Sequence, residues 1–314
     1  MIMESNLFKI KPYDESLGFS KLVDLYNQMG KYLNPETTFH ITEELARTYL
    51  GKETVLSRDY LTFEDKQGEI IAFTGLSITP MVKDAFVTVY AVQPEYIDSD
   101  LPGKLIDATL DLKKKLNVPK FLFQTIGDLS APFDEKLDSL GFSPVNYTWS
   151  MRLDNFDLFS HPGIPEGIII KNLKEMDDFA STVNVLNEAF ADSFMYKPIT
   201  KIRWKKITET FKKNHIVEHC VAYEDDKFIG ICDIYLNPEQ DQSGLIANFG
   251  VLPDYQHRKI GSALLASGIE TLRNKGCKTI KLGVDTKNEK ALGLYKKFGF
   301  YVKNNLTQKT YQIM

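Results

Sequence analysis

The 314 residues are 43% hydrophobic, 25% charged and 12% aromatic, ordinary globular material for about two domains of roughly 100–200 residues. No apolar run approaches the roughly 18 residues of a membrane span, and Met1 to Pro12 lack the basic-then-apolar order of a signal peptide. Three cysteines, Cys220, Cys232 and Cys277, are too few and too scattered for a disulfide framework or a zinc site, so a reducing cytoplasm is expected.

The net charge of −4 argues against a protein that coats nucleic acid, but the charge is uneven. From Asn248 to Met314 there are 12 Lys and Arg against 4 Asp and Glu, so this stretch carries +8 and the rest −12. Such a basic quarter is either a solvated face or a site for an anion.

Taken in order, the chain reads as two copies offset by about 158 residues. An apolar opening strand at Phe8-Lys9-Ile10 returns at Ile168-Ile169-Ile170. The strand from Glu69 to Gly75 returns from Lys227 to Asp233. Gly103 matches Gly261, and Leu140-Gly141-Phe142 matches Phe298-Gly299-Phe300. A period this long implies a duplicated domain, since solenoid repeats run about 20–50 residues. Two prolines and two glycines between His161 and Gly167 read as a linker. The expected division is 1–154, a linker at 155–166, and 167–314.

In the second copy, Leu245 to Leu252 is apolar and stops at Pro253, as a strand does. A polar loop, Asp254 to Lys259, follows. Ile260, Leu264, Leu265, Ile269 and Leu272 then share one helical face, with Arg273 and Lys275 in the last turn and Gly276 just beyond. The first turn of a helix presents unpaired N–H groups and a partial positive charge, so this junction suits phosphate. Gly261, Ser262 and Ala263 leave the backbone approachable, and Arg258 and Lys259 add charge. Thr279 to Val284 alternates as a strand. Asn288 is placed to cap a short helix carrying Ala291, Leu294, Tyr295 and Phe298, which Gly299 closes.

Val251-x-Pro253-x-Tyr255-Gln256-x-x-Lys259-x-Gly261-x-Ala263, followed by Asn288-x-x-Ala291-x-x-Leu294-Tyr295-x-x-x-Gly299-Phe300, resembles the GNAT superfamily of N-acetyltransferases. The resemblance implies an α/β fold of two tandem GNAT-like domains, each a mixed twisted sheet flanked by helices, with a gap where two strands splay. It implies transfer of an acetyl group from acetyl-CoA to a primary amine, on a small molecule or a peptide. Val251, Gln256, His257, Arg258, Lys259, Ile260, Gly261, Ser262 and Asn288 become the expected cofactor contacts, the N–H of Val251 polarising the thioester carbonyl. Tyr295 becomes the expected acid for the departing thiolate. The general base is open among Asp233, Glu188, Asp192 and water. The family commonly has glycine where Lys259 stands, so a positive φ is expected to strain it.

In the first copy the matching loop, Val92 to Gly103, carries Asp98 and Asp100 in place of the cations, and Pro102 lacks an N–H. At the same offset Asn288 falls on Ser130 and Tyr295 on Leu137. This half is therefore expected to be a degenerate GNAT-like domain that keeps the shape without the cofactor site, in the tandem arrangement of mycothiol synthase-like proteins. His215 and His219, four apart, lack an evident third metal ligand, so no metal is expected. Lys201 to Lys206 reads as a solvated helix face. The competing function is a non-catalytic acyl-CoA-binding or sensor module, with transfer of a longer acyl or an aminoacyl group as a third reading. No nucleic acid or membrane partner is expected, and the acceptor and oligomeric state are not encoded legibly.

Overall fold

The computed structural model describes all residues except 1–2, 5–7, 36–39, 51–53, 78–84, 119, 127–130, 157–160, 214, 237–241 and 314, with the backbone alone at 3–4, 126, 131, 304–307 and 313. It divides into two compact units, Met1–Tyr147 with Asn305–Met314, and Thr148–Asn304. Part of the expected linker, 157–160, lies outside the described residues. The division falls a few residues before that linker, and the last residues of the chain join the first unit: Gln308 to Tyr311 pair antiparallel with Ile126 to Phe123.

The first unit runs β1 (Met3–Glu4), β2 (Lys9–Pro12), α1 (Ser20–Leu33), α2 (Glu43–Tyr49), α3 (Leu56–Asp59), β3 (Tyr60–Glu64), β4 (Ile70–Ser77), β5 (Phe86–Val92), α4 (Leu101–Lys115), β6 (Phe121–Ile126), α5 (Ala131–Ser139) and the opening of β7 (Phe142–Leu153). Strands β2 to β5 pair antiparallel in sequence order. β5 meets β6 in parallel at Phe86/Phe121 and Val87/Leu122. The helices cover this sheet through an apolar core that includes Leu22, Phe63, Phe73, Leu105 and Phe123.

The second unit takes the rest of β7, then β8 (Ile168–Leu173), α6 (Phe179–Ala189), α7 (Lys201–Phe211), β9 (Ile216–Glu224), β10 (Lys227–Leu236), β11 (Ser243–Val251), α8 (Ile260–Asn274), β12 (Thr279–Asp285), α9 (Glu289–Lys297) and the opening of β13 (Tyr301–Ile313). Its order of strands and helices repeats that of the first unit apart from the four-residue α3, so the duplication read from spacing is a duplication of topology. Strands β8 to β11 pair antiparallel, β11 and β12 parallel, and β12 antiparallel to Thr148–Leu153.

α8 buries the face its periodicity predicts: Ile260, Leu264, Leu265, Ile269 and Leu272 are at most 1% exposed. At Gly268 a Cβ would stand 2.9 Å from the Cys232 sulfur, so glycine lets α8 lie close on β10. Gly276 closes the helix at φ 86°, in the left-handed region expected of its position. No helix among the described residues is long and apolar enough to cross a membrane.

Candidate active site

The parallel pairing of β11 with β12 spans only Ser243/Thr279, Gly244/Ile280 and Leu245/Lys281. Beyond it β12 follows β7, while β11 continues alongside β10 to Val251. The two strands therefore splay at their C-terminal ends, where ligands of open α/β sheets bind. Leu252 donates its N–H to the Ile229 carbonyl at 2.9 Å, which makes the facing pair Gly230/Val251 non-hydrogen-bonded. The Val251 N–H consequently points away from β10, into the splay.

After Pro253–Tyr255, a single 3₁₀ turn, the chain enters α8 through an unusual stretch. His257 and Lys259 both have φ 63°, and Lys259 is the N-cap residue of α8 with no side-chain cap. The N–H groups of residues 257 to 262 find no acceptor among the described residues; the next, that of Ala263, bonds to the Lys259 carbonyl. Backbone turned into the left-handed region at alternate residues gathers N–H groups into a concave anion-binding nest, and the helix dipole adds to it. Gln256 donates from Nε2 to the Val251 carbonyl at 3.2 Å, tying the loop to the strand end.

The expected strain at Lys259 is present. Lysine in the left-handed region costs about 1–2 kcal/mol, and glycine there forfeits about 0.5–1 kcal/mol of unfolded-chain entropy. Lys259→Gly is therefore expected to stabilise the protein by about 0.5–1 kcal/mol, read by thermal unfolding. The side chains divide. Arg258 is held by Glu224, one contact being 3.3 Å, and lies over the Tyr255 ring at 5.5 Å to the centroid. Its guanidinium holds the Glu224 carboxyl below the usual carboxylate range. Arg258 thus braces the loop and supplies its N–H to the nest. The Lys259 ammonium has no ion-pair partner among the described residues.

Asn288 caps α9, accepting from the Ala291 N–H at 3.0 Å. This fixes the helix that carries Tyr295, whose ring lies 6.0 Å from Phe249 and 5.9 Å from Phe300. Tyr295 is 6% exposed, and its hydroxyl makes no hydrogen bond among the described residues. Burial raises its pKa well above the usual tyrosine range. Phe249, half-buried on the splayed end of β11, reaches the nest too: a Cβ on Gly261 would stand 3.5 Å from its ring. The structure therefore brings Val251, the 257–262 backbone and Tyr295 around Phe249, a residue not among the expected contacts.

Asp233 sits on β10 at 0% exposure. One oxygen accepts from His219 Nδ1 at 2.6 Å and the other from Asn248 Nδ2 at 2.9 Å. Asn248 also donates to the Tyr235 hydroxyl at 3.3 Å, and its backbone has φ 46°. This network pins a positive-φ residue two positions before Gly250, on the part of β11 that forms the splay. Removing the carboxylate strands the buried His219 donor and takes the nearer acceptor from half-buried Asn248; Asp233→Ala is expected to cost about 3–5 kcal/mol, read by denaturant midpoint. The other candidate bases, Glu188 and Asp192, are exposed at and beyond the end of α6, and Glu188 accepts from Asn184.

His215 lies in the turn after α7 and bonds the Phe211 carbonyl, whereas His219 belongs to β9. No group of three potential metal ligands is present among the described residues. Lys201 to Lys206 opens α7, with Trp204 buried in the core and the lysines exposed.

The first unit's loop differs where the sequence does. No residue from 93 to 103 has positive φ. The Ser99 hydroxyl accepts the Leu101 N–H at 3.1 Å, Pro102 has none to offer, and Asp98 and Asp100 stand exposed beside it. Leu137, the counterpart of Tyr295, is fully buried, and Ser130 lies outside the described residues.

An uncapped helix N-terminus beside splayed parallel strands defines the second unit as an α/β domain with a backbone anion cradle. Residues 179–300 match the acetyltransferase (GNAT) family model, and the second unit belongs to that family. The chain is 26% identical over 216 residues to a mycothiol acetyltransferase of Paenarthrobacter aurescens, covering 67% of this chain and 65% of that one. It is 29% identical over 82 residues to N-alpha-acetyltransferase 30 of Schizosaccharomyces pombe, covering 26% of this chain and 55% of that one. Both matches span less than two thirds of the relative's own length. A tandem GNAT protein from the clavulanic acid biosynthesis pathway shares the fold, with TM-score 0.72 at 12% identity over 98% of this chain and 99% of the other.

Proposed function

We propose that the chain transfers an acetyl group from acetyl-CoA to a primary amine by direct attack. The observation that carries this reading is the run of N–H groups from 257 to 262 without an acceptor. Residues 257–259 are exposed and 260–262 buried or half-buried, and a diphosphate satisfies several of these open N–H groups together. The N–H of Val251, aimed into the splay, suits the thioester carbonyl, whose oxygen gains charge as the amine attacks. The Tyr295 hydroxyl holds a proton through neutral pH and gives it to the leaving thiolate. Phe249 keeps apolar surface between the two, which strengthens both interactions by excluding water.

Asp233 serves this site through Asn248 and the shape of β11, because both its oxygens are taken and no water reaches it. The amine proton then leaves through water at the open side of the splay. The first unit lacks the nest and is silent toward CoA. The acceptor class is a small-molecule amine or a peptide α-amine. One relative is named for mycothiol and another for N-alpha acetylation, and acceptor pockets are built from loops that vary within a fold. The test is free-thiol release from acetyl-CoA by the full chain across a panel of amines and peptides. Release that depends on one amine class supports the reading; CoA binding with no release from any member favours the sensor.

A further inference from the structure

Neighbouring residues at the splayed end of β11 look to opposite faces of the sheet. Phe249 lies toward α8 and α9, beside Gly261 and Tyr295. Asn248 and Gly250 lie toward α6 and α7. Asn248 donates to the hydroxyl of Tyr235, whose ring is 5.2 Å from that of Phe211, and a Cβ on Gly250 would stand 2.8 Å from Ala189. With Tyr295 on one face to meet the leaving sulfur, the other face of the thioester is left to the amine. Asn248 is the polar side chain that the splayed end of β11 presents there.

The Asn248 amide is held in one orientation. Asp233 offers it a carboxylate, which only accepts, so Nδ2 faces Asp233 at 2.9 Å and spends its second N–H on Tyr235. His219 holds Asp233 from the other side at 2.6 Å. Oδ1 is thereby fixed on the far side of the amide, without a hydrogen bond among the described residues. Asn248 is half-buried, and its Oδ1, unlike Nε2 of His219, is not sealed from solvent. Resting on the transferase reading, we infer that Asn248 Oδ1 accepts an N–H of the incoming amine, aims the nitrogen lone pair at the thioester carbonyl carbon, and so selects primary over secondary amines. The neutral amine spends its lone pair on the new C–N bond, and the carbonyl electron pair moves onto the oxygen beside the Val251 N–H. One N–H proton passes to water while the other stays on Oδ1. Collapse re-forms the carbonyl and breaks the C–S bond; the thiolate takes the Tyr295 proton, which water replaces. A secondary amine has a single N–H, which cannot both leave and remain on Oδ1.

Hydroxylamine and N-methylhydroxylamine test this as small acceptors, since both yield hydroxamates that are read as their ferric complexes. With the full chain and saturating acetyl-CoA, transfer relative to each uncatalysed rate is expected to favour hydroxylamine by about tenfold, the worth of one well-placed hydrogen bond. Asn248→Gly keeps the backbone, because glycine is at home at φ 46°. It is expected to lose about tenfold in transfer to hydroxylamine and most of the preference between the two probes, with CoA affinity by calorimetry within about twofold of wild type. Equal transfer to both probes by the wild-type chain overturns the inference, whether or not Asn248→Gly folds. So does undiminished transfer by the folded variant. A CoA affinity that falls along with transfer also overturns it, since Asn248 would then only brace β11. CoA binding without transfer to either probe or to any amine of the panel sinks the transferase reading itself.

Discussion

Tyr295→Phe is expected to lower kcat by about 10²–10³-fold, the ordinary worth of a positioned acid, and to leave the affinity for CoA unchanged. The two effects separate because of where the hydroxyl stands. It makes no hydrogen bond among the described residues, so its removal disturbs nothing that shapes the nest, and the ring keeps its contacts with Phe249 and Phe300. The pH profile gives a second reading of the same residue. Burial raises the Tyr295 pKa, so the proton it donates is still present where an ordinary tyrosine begins to lose it. Its titration therefore contributes no fall in kcat below about pH 10, the unperturbed tyrosine value. A phenylalanine variant with full kcat would mean that the thiolate leaves unaided and that Tyr295 only packs.

Ser262→Asp is expected to weaken CoA by about 10²-fold, combining lost charge-assisted hydrogen bonds with repulsion of the diphosphate. A carboxylate in the first turn of α8 competes for the N–H groups that the nest leaves open, as Ser99 does for Leu101 in the first unit. The same carboxylate is favourable for the helix, so the unfolding temperature should hold or rise. A weakened affinity with an intact fold separates this effect from damage. Wild-type affinity in this variant would place the diphosphate somewhere other than residues 257–262.

Much of this was open to sequence reading, because periodicity and spacing are local signals. The buried face of α8 and the Asn288 cap each follow from a few neighbouring residues, and the left-handed Lys259 follows from the family resemblance, which has glycine there. What was illegible is non-local. Arg258 finds Glu224 across 34 residues, so its recruitment to bracing could not be read from the loop. His215 and His219 share a spacing that is meaningful on a helix, but β9 begins at Ile216 and leaves them in different elements. Asp233 looked like a base because it is a carboxylate on the right strand; only packing shows that His219 and Asn248 consume it. The return of residues 308–311 to β6 leaves no local trace.

The central claim is that each chain holds one CoA, on the backbone between Val251 and Ser262. Titration calorimetry of CoA into the full chain tests it most directly. The account predicts one molecule bound per chain, with the heat abolished by Ser262→Asp. Two molecules per chain, or a single site that survives Ser262→Asp and disappears on substitution within Asp98–Gly103, would contradict it.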